Sequence, residues 1–375
     1  MAFPGEPQPP GNIEILGMIA TQNFSETHAA LSADVDKNYV SVFSRAHEYA
    51  GFDRVLIGYF SNSPDGFQVG AYAAQQTTRL KFLLAHRPGF VSPTLAARQL
   101  ASLDQFSDGR LAVHVISGAS DEEQQRDGDF LPKAERYART SDYIDVLKKA
   151  WTSPVPFDHE GPYYRVKGGL SVVKPMQKPY LPIFFGGASD EAIEVAGRHA
   201  EVYALFGEPV AQARDLISRV RASAARHGRE GQIQFSLSLR PILAETESAA
   251  WARAERILEE AKAEEAKAVG RGKRDNQAQG AKRLLDAAAG GAVRDKRLWT
   301  ELAVVTGAAG NSTSLVGTPE QVVDSLLDYY DLGITKFLFR GFDPLEDCIA
   351  YGRYLLPLLR QATAKRVRPV LLAAK

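Results

Sequence analysis

Cysteine is nearly missing from this 375-residue chain. Its one copy, Cys348, can neither close an internal disulfide nor join a multi-cysteine metal site. A reducing, cytoplasmic setting is therefore expected. Net charge is missing as well: 45 Lys and Arg balance 45 Asp and Glu, so no field draws the chain to nucleic acid or to a membrane surface. The 7 histidines contain no H-E-x-x-H pair and no clustered spacing, and no bound metal is expected. Neither a G-x-G-x-x-G after a strand nor a G-x-x-x-x-G-K-[ST] occurs, which excludes a dinucleotide-binding half and a P-loop. Residues 1–12 hold proline and glycine without an apolar run, so a flexible lead-in is expected there, and not a signal peptide or anchor.

What the chain does have is one rhythm, short apolar strands alternating with amphipathic helices. Strands are expected at 13–19, 54–58, 81–85, 111–116, 183–185, 202–205, 233–243 and 336–339. Helices are expected at 37–50, 69–76, 94–106, 135–151 and 210–227, with one between the fifth and sixth strands and a closing helix at 344–359. Residues 157–173 read as a small β excursion with turns at Gly161-Pro162 and Gly168-Gly169. Thr318-Pro319-Glu320-Gln321 is a helix start, with an N-cap threonine, proline first in the helix and glutamine three after the cap. Gly333 ends that helix before the eighth strand.

Eight strands in a single alternation predict an α/β protein, one TIM (β/α)8 barrel over residues 13–362 with a tail at 363–375. The rhythm breaks once, at 247–301, in a stretch rich in Ala, Lys, Arg, Glu and Gly that includes G-R-G-K-R-D-N at 270–276. Two readings fit it: a solvated helical excursion, or a basic lid that shuts water out of the barrel mouth after an anion binds.

The most informative stretch is 79–118, where strand, helix and strand joined by short loops make one β/α unit. Small and polar residues follow both strand ends, where barrel enzymes carry their chemistry. Within it, A-A-R-Q-L-A-S-L-D-Q-F-S-D-G-R at 96–110 closely resembles the bacterial luciferase-like flavin monooxygenases, nearest their alkanesulfonate monooxygenase branch. That resemblance implies a luciferase-like barrel, FMN used as FMNH2, O2 as co-substrate, and a homodimer or homotetramer formed through barrel-side helices. It also implies a separate NAD(P)H-dependent flavin reductase as partner, in keeping with the missing dinucleotide motif. The mobile insertion of related enzymes favours the lid at 247–301.

Candidate site residues follow. L-P-I-F-F-G-G-A-S-D at 181–190 ends a buried strand in two glycines and a serine as a helix begins. Glycine lets backbone approach a ligand, and the helix N-terminus offers free N–H groups to an anion. An ordinary tight turn fits the same residues. Joined to the resemblance, they become the flavin 5′-phosphate site, held by Gly187, Ala188 and Ser189. The resemblance carries Tyr137, in Glu135-Arg136-Tyr137, onto the same phosphate, a packing tyrosine being the alternative. It also places Ser117 and Gly118 toward the flavin ring or ribityl chain, and puts Ala85-His86 where the superfamily often has a strained peptide beneath the ring.

The substrate positions depart from the alkanesulfonate branch. Ser63 stands for its cysteine, Gln22 for its strand-one histidine, Ser238-Leu239-Arg240 for its Arg-x-His pattern, Thr306 for its arginine and Phe342 for its tyrosine. The catalytic acid and base, and a simple linear alkanesulfonate as substrate, are thereby left open, with Gln22 and Ser63 as catalytic candidates. Arg240 and Arg340, adjacent in barrel order, are the expected anion clamp, with Arg87 nearby. A guanidinium fork suits sulfonate, carboxylate or phosphate, and structural ion pairs are the alternative. Phe24, Tyr59, Phe60, Phe67 and Phe206 are an apolar wall or ordinary core. His114 is expected to be a satisfied interior or rim histidine, and Cys348 to serve packing.

The expected function is a two-component FMNH2- and O2-dependent monooxygenase acting on a small anionic organosulfur compound, cleaving C–S to give an aldehyde and sulfite. A deazaflavin-dependent oxidoreductase of the same superfamily and a non-catalytic flavin-binding protein are the alternatives.

Overall fold

In the computed structural model, which describes residues 13–118, 120–267 and 278–366, the alternation closes on itself. In chain order the strands are β1 (Glu14–Ile19), β2 (Arg54–Ile57), β3 (Lys81–His86), β4 (Leu111–Val115), β5 (Phe157–Glu160), β6 (Arg165–Gly169), β7 (Ile183–Gly186), β8 (Val202–Phe206), β9 (Gln234–Leu243), β10 (Val293–Arg294), β11 (Leu298–Trp299), β12 (Ser314–Gly317) and β13 (Ile334–Phe339). The helices are α1 (Lys37–Ala50), α2 (Gly66–Gln75), α3 (Pro93–Phe106), α4 (Asp121–Gln125), α5 (Lys133–Thr152), α6 (Asp190–His199), α7 (Val210–Arg226), α8 (Glu247–Lys267), α9 (Gln279–Ala289), α10 (Glu301–Val305), α11 (Pro319–Asp331), α12 (Pro344–Ala350) and α13 (Leu356–Lys365).

Eight strands pair in parallel around a ring, β1-β2-β3-β4-β7-β8-β9-β13 and back to β1. A strand buried on both faces has to be apolar on both, and these are. Leu16, Leu83, Ala112, Phe184, Val202 and Leu338 fill the interior. The alternate residues, such as Ile15, Val55, Phe82 and Val113, pack outward on the helices. The interior's lower end is ionic: Arg54 Nε lies 2.8 Å from a Glu14 carboxylate oxygen, and the Lys336 ammonium contacts the other oxygen. Arg54 and Lys336 together outweigh the burial cost and hold the Glu14 carboxyl well below the usual carboxylate range.

The helices start and stop where the sequence specifies. Asp36 caps α1 by accepting from Tyr39 N at 2.9 Å, and Gly51 ends it in the left-handed region at φ 87°. Thr318 and Gln321 form the reciprocal capping box of α11. The 157–173 excursion is the antiparallel hairpin β5–β6. The closing helix runs past the expected end at 359, through a π turn at Tyr351–Leu355 and on to Lys365.

Two expectations are corrected. First, β12 was not anticipated. It pairs in parallel with the upper half of β9, Arg240–Leu243, which projects beyond the barrel, and β11 and β10 follow antiparallel. Second, the flanks of the insertion are helices, as one reading had it, but each packs one face on the barrel extension. On α8, Ala250, Ala254, Ile257 and Ala261 are buried with Ile242, Val316, Trp299 and Phe342. On α9, Ala281 and Leu284 are buried with Ala303 and Ala308, against Phe206. The lead-in, the 270–276 run and most of the tail lie outside the described residues. Among the described residues no helix is long and apolar enough to cross a membrane, and no acidic, histidine and cysteine group could hold a metal.

Candidate active site

Side chains alternate along a strand, so the residues two beyond the inner core layer face the chamber at the strands' C-terminal ends. Around the ring these are Met18, Gly58, Ala85, His114, Gly186, Ala204, Ser238 and Arg340. Most of them keep accessible surface although they lie inside the ring. From β2 to β8 the wall carries nothing larger than a methyl group except at His114. The result is a recess walled on this side by small side chains.

At one corner the candidate anion-site residues come together. Gly187 follows β7 at φ +124°, a conformation open to glycine. A Cβ there would lie 2.8 Å from the Ala192 Cβ and 3.2 Å from the Tyr137 hydroxyl. The Tyr203 hydroxyl donates to the Gly187 carbonyl and fixes the turn. Ser189 caps α6, accepting from Ala192 N at 3.4 Å, and its hydroxyl also hydrogen-bonds with Tyr137. Tyr137 comes from the first turn of α5, packs edge-on against Phe185 and is raised above its ordinary pKa by burial. Gly187, buried Ala188, Ser189 and Tyr137 therefore meet at one helix N-terminus, as expected from their sequence contexts. Ser117 is tied back to α5: its hydroxyl pairs with Thr140 at 2.9 Å and its carbonyl accepts from Arg136 Nε at 3.1 Å. At Gly118, φ 89°, the space a Cβ would need is filled by the Gln124 side chain.

The two histidines of this wall point opposite ways. His86 is followed by no mouth surface: its imidazole points outward, is buried, and bonds the Tyr143 hydroxyl at 2.7 Å. Burial lowers its pKa to about 4. As a cofactor contact, its side chain is corrected to core, and the Ala85–His86 peptide is trans, the cis bond of the described residues being Lys178–Pro179. His114 takes the interior or rim place expected of it and points into the recess; the Phe184 backbone hydrogen-bonds the ring, while its buried Nδ1 has no hydrogen-bond partner. Burial, opposed by the Phe184 backbone, holds its pKa at about 4, which keeps the ring neutral.

The opposite side holds the arginines. Arg240 is fully buried. It reaches Glu26 at 2.5 Å, donates to the Gly341 carbonyl at 2.8 Å, and stacks 3.6 Å from the Phe342 ring centroid. Arg340 lies 3.5 Å from the other Glu26 oxygen with 22 % of its side chain exposed. Burial pushes the Glu26 carboxyl up, but the two guanidiniums outweigh it and hold it at about 2. The ion-pair alternative is thus present: an internal carboxylate bridges the two arginines. Arg87 is likewise engaged, 3.0 Å from Glu123 and over the Tyr59 ring at 4.6 Å.

The remaining candidates hold loops. Gln22 donates to Ser32 Oγ at 2.9 Å and to the Asp34 carbonyl, pinning the loop after β1. Ser63 is exposed and closes a local turn onto the Phe60 carbonyl at 2.8 Å. Thr306 Oγ1 donates to the Leu302 carbonyl at 2.9 Å within α10. Phe67 packs on His86 in the outer core, Phe60 is exposed, and Phe206 stands at the rim under α9.

The sequence reading gave no part to Glu26 or to the polar run Asn311 to Ser314, and put His114 inside or at the rim without a role. For His114 a signal was present: it follows inward-facing Ala112 by two positions on an apolar strand. Glu26 sits in a polar loop with no periodicity to mark it.

A profile of the luciferase-like monooxygenase family matches residues 13–336. The chain belongs to that family. Among solved structures, it is similar to a riboflavin lyase crystallised with modified FMN and riboflavin, at 19% identity and TM-score 0.79 over 95% of this chain and 93% of that one. EDTA monooxygenase from Chelativorans sp. BNC1 follows at 18% identity and TM-score 0.73, with 94% of each chain covered. A coenzyme F420-dependent tetrahydromethanopterin reductase from Methanopyrus kandleri matches at 15% identity and TM-score 0.66 over 93% of this chain and 99% of that one. These likenesses carry the barrel, and the family carries flavin-type monooxygenase chemistry in general.

Proposed function

We propose that this protein is a two-component monooxygenase that takes FMNH2 from an NAD(P)H-dependent flavin reductase and uses O2 to cleave the C–S bond of a small organosulfonate. The observation that carries this reading is the meeting of the Tyr137 and Ser189 hydroxyls with left-handed Gly187 at the start of α6. A phosphate there would receive backbone N–H groups and two hydroxyls. The small-residue wall from Gly58 to Ala204 would take the flat ring, with neutral His114 at its edge.

FMNH2 supplies two electrons. For a substrate R-CH2-SO3⁻ the products are R-CHO, bisulfite, FMN and water, one oxygen atom entering the aldehyde and the other the water. The protein's own part is to hold the phosphate, to keep water away beneath the packed flanks of α8 and α9, and to meet the acid group of the substrate with Arg340. A homodimer or homotetramer belongs to the same reading.

Two measurements test it. FMN and F420 are titrated against the protein, and sulfite release is followed with chemically reduced FMN and O2 across linear, aromatic and sugar sulfonates. Tight FMN binding with sulfite release is expected. Preference for F420 would replace the cofactor, and FMN binding with no turnover on any sulfonate would remove the C–S chemistry.

A further inference from the structure

The mouth at the ends of β8 and β9 holds more hydrogen-bonding groups than the protein uses. Just past β8, the Gly207 carbonyl accepts from Thr313 Oγ1 at 2.7 Å, and the Thr313 carbonyl accepts from Arg240 N at 3.0 Å. Segment 311–314 is thereby fixed above the ends of β8 and β9. Ser314 is registered with Arg240, and registered neighbours in parallel strands face the same side, so the Ser314 side chain stands beside that of Arg240. In this segment both side-chain polar atoms of Asn311, Ser312 Oγ and Ser314 Oγ are buried without a hydrogen-bond partner. Ser312 is 1% exposed and Ser314 0%. Buried polar groups are satisfied in the great majority of cases, and each orphan is costly to the fold. Four such atoms in four consecutive residues beside an arginine at a barrel mouth point to a ligand and not to the fold.

Charge narrows the ligand. Arg240, Arg340 and Glu26 sum to one positive charge, and Arg240 is consumed by Glu26, the backbone and Phe342. Arg340 makes a long 3.5 Å contact to Glu26, lies 6.0 Å from the Phe24 ring centroid and remains partly exposed. One acid group is thereby matched.

We propose that Arg340, Asn311, Ser312 and Ser314 form a substrate subsite for a small monoanion carrying hydroxyl groups within a few bonds of its acid group. The segment selects such a polyhydroxylated compound over a plain alkyl chain, because an alkyl group would leave its buried polar atoms unpaired. This inference rests on the mouth being the reaction chamber described above.

The test uses the full chain loaded with oxidised FMN and two probes, 2,3-dihydroxypropane-1-sulfonate and propane-1-sulfonate, with binding measured by calorimetry. The dihydroxy probe is expected to bind about 30-fold tighter, as two hydrogen bonds imply. In the double variant Ser312→Ala/Ser314→Ala the preference should fall to about 3-fold or less. FMN affinity should be unchanged, and the melting temperature of the ligand-free protein unchanged or raised, since the lost hydroxyls had no protein partner. Equal binding of both probes to the unaltered protein overturns this inference alone. So does a double variant that keeps the preference or melts lower. If FMN binds and neither sulfonate does, the inference falls together with the organosulfonate reading.

Discussion

Glu26→Gln isolates the charge that joins the two halves of the arginine pair. The glutamine keeps the shape and a hydrogen-bonding oxygen for Arg240 but leaves two guanidiniums facing each other without an anion. Burial raises the Glu26 pKa, and Arg240 with Arg340 more than reverses this, taking it from 4.5 to about 2. A carboxyl shifted downward on folding stabilises the fold above its unfolded pKa, and that stability is lost as pH falls through the folded value. For this shift the contribution is about 3 kcal/mol at pH 7 and about 1 kcal/mol at pH 3. The Glu26 side chain is 22% exposed, so solvent screening takes only a modest part of it. Urea denaturation of both proteins at pH 7 and pH 3 reads the difference directly. Glu26→Gln should cost about 3 kcal/mol at neutral pH, in line with breaking a buried pair, and about 2 kcal/mol less at pH 3. A penalty under about 1 kcal/mol at pH 7, or one equal at both pH values, would refute the bridging role.

Three further outcomes are expected. Ser189→Ala with Tyr137→Phe should weaken FMN binding by about 2 to 3 kcal/mol, because two hydrogen bonds to a charged phosphate are lost; unchanged affinity in a fluorescence titration would remove the proposed phosphate corner. Gly187→Ala should cost about 1 to 2 kcal/mol of stability from its left-handed backbone and also reduce FMN affinity, since the new methyl crowds Ala192 and Tyr137. A variant with wild-type melting and binding would show that the turn tolerates a side chain. The His114 ring should stay neutral down to about pH 5, because burial lowers its pKa to about 4, and an NMR titration finding a midpoint near 6.5 would place it in solvent.

The strands that form the barrel could be located from the chain because each is a short apolar run between helices of clear period. β12 escaped because Ser314–Gly317 holds only two large apolar residues between small and polar ones, and it is strand through pairing with the overhang of β9. The proposed phosphate corner was legible in part for a local reason: a turn glycine and an N-cap serine stand side by side in the chain, and the family resemblance added Tyr137. Between clamp and ion pair the chain alone could not choose, for the opposite reason. The arginines' partner Glu26 lies 214 residues from Arg240, in a loop without periodicity. The family resemblance put Ala85-His86 at the mouth, whereas the alternation along β3 gives that place to Ala85 and turns the imidazole into the outer core.

Local chemistry, then, is what the amino-acid order settled alone: propensity, caps and the two-residue and 3.6-residue periods act over a few positions, and they set the elements and hence the ring. Which polar groups neutralise one another, and which are left to meet a ligand, was decided only when distant loops were brought over the same rim. Those pairings depend on distances through space, and nothing in the spacing along the chain encodes them.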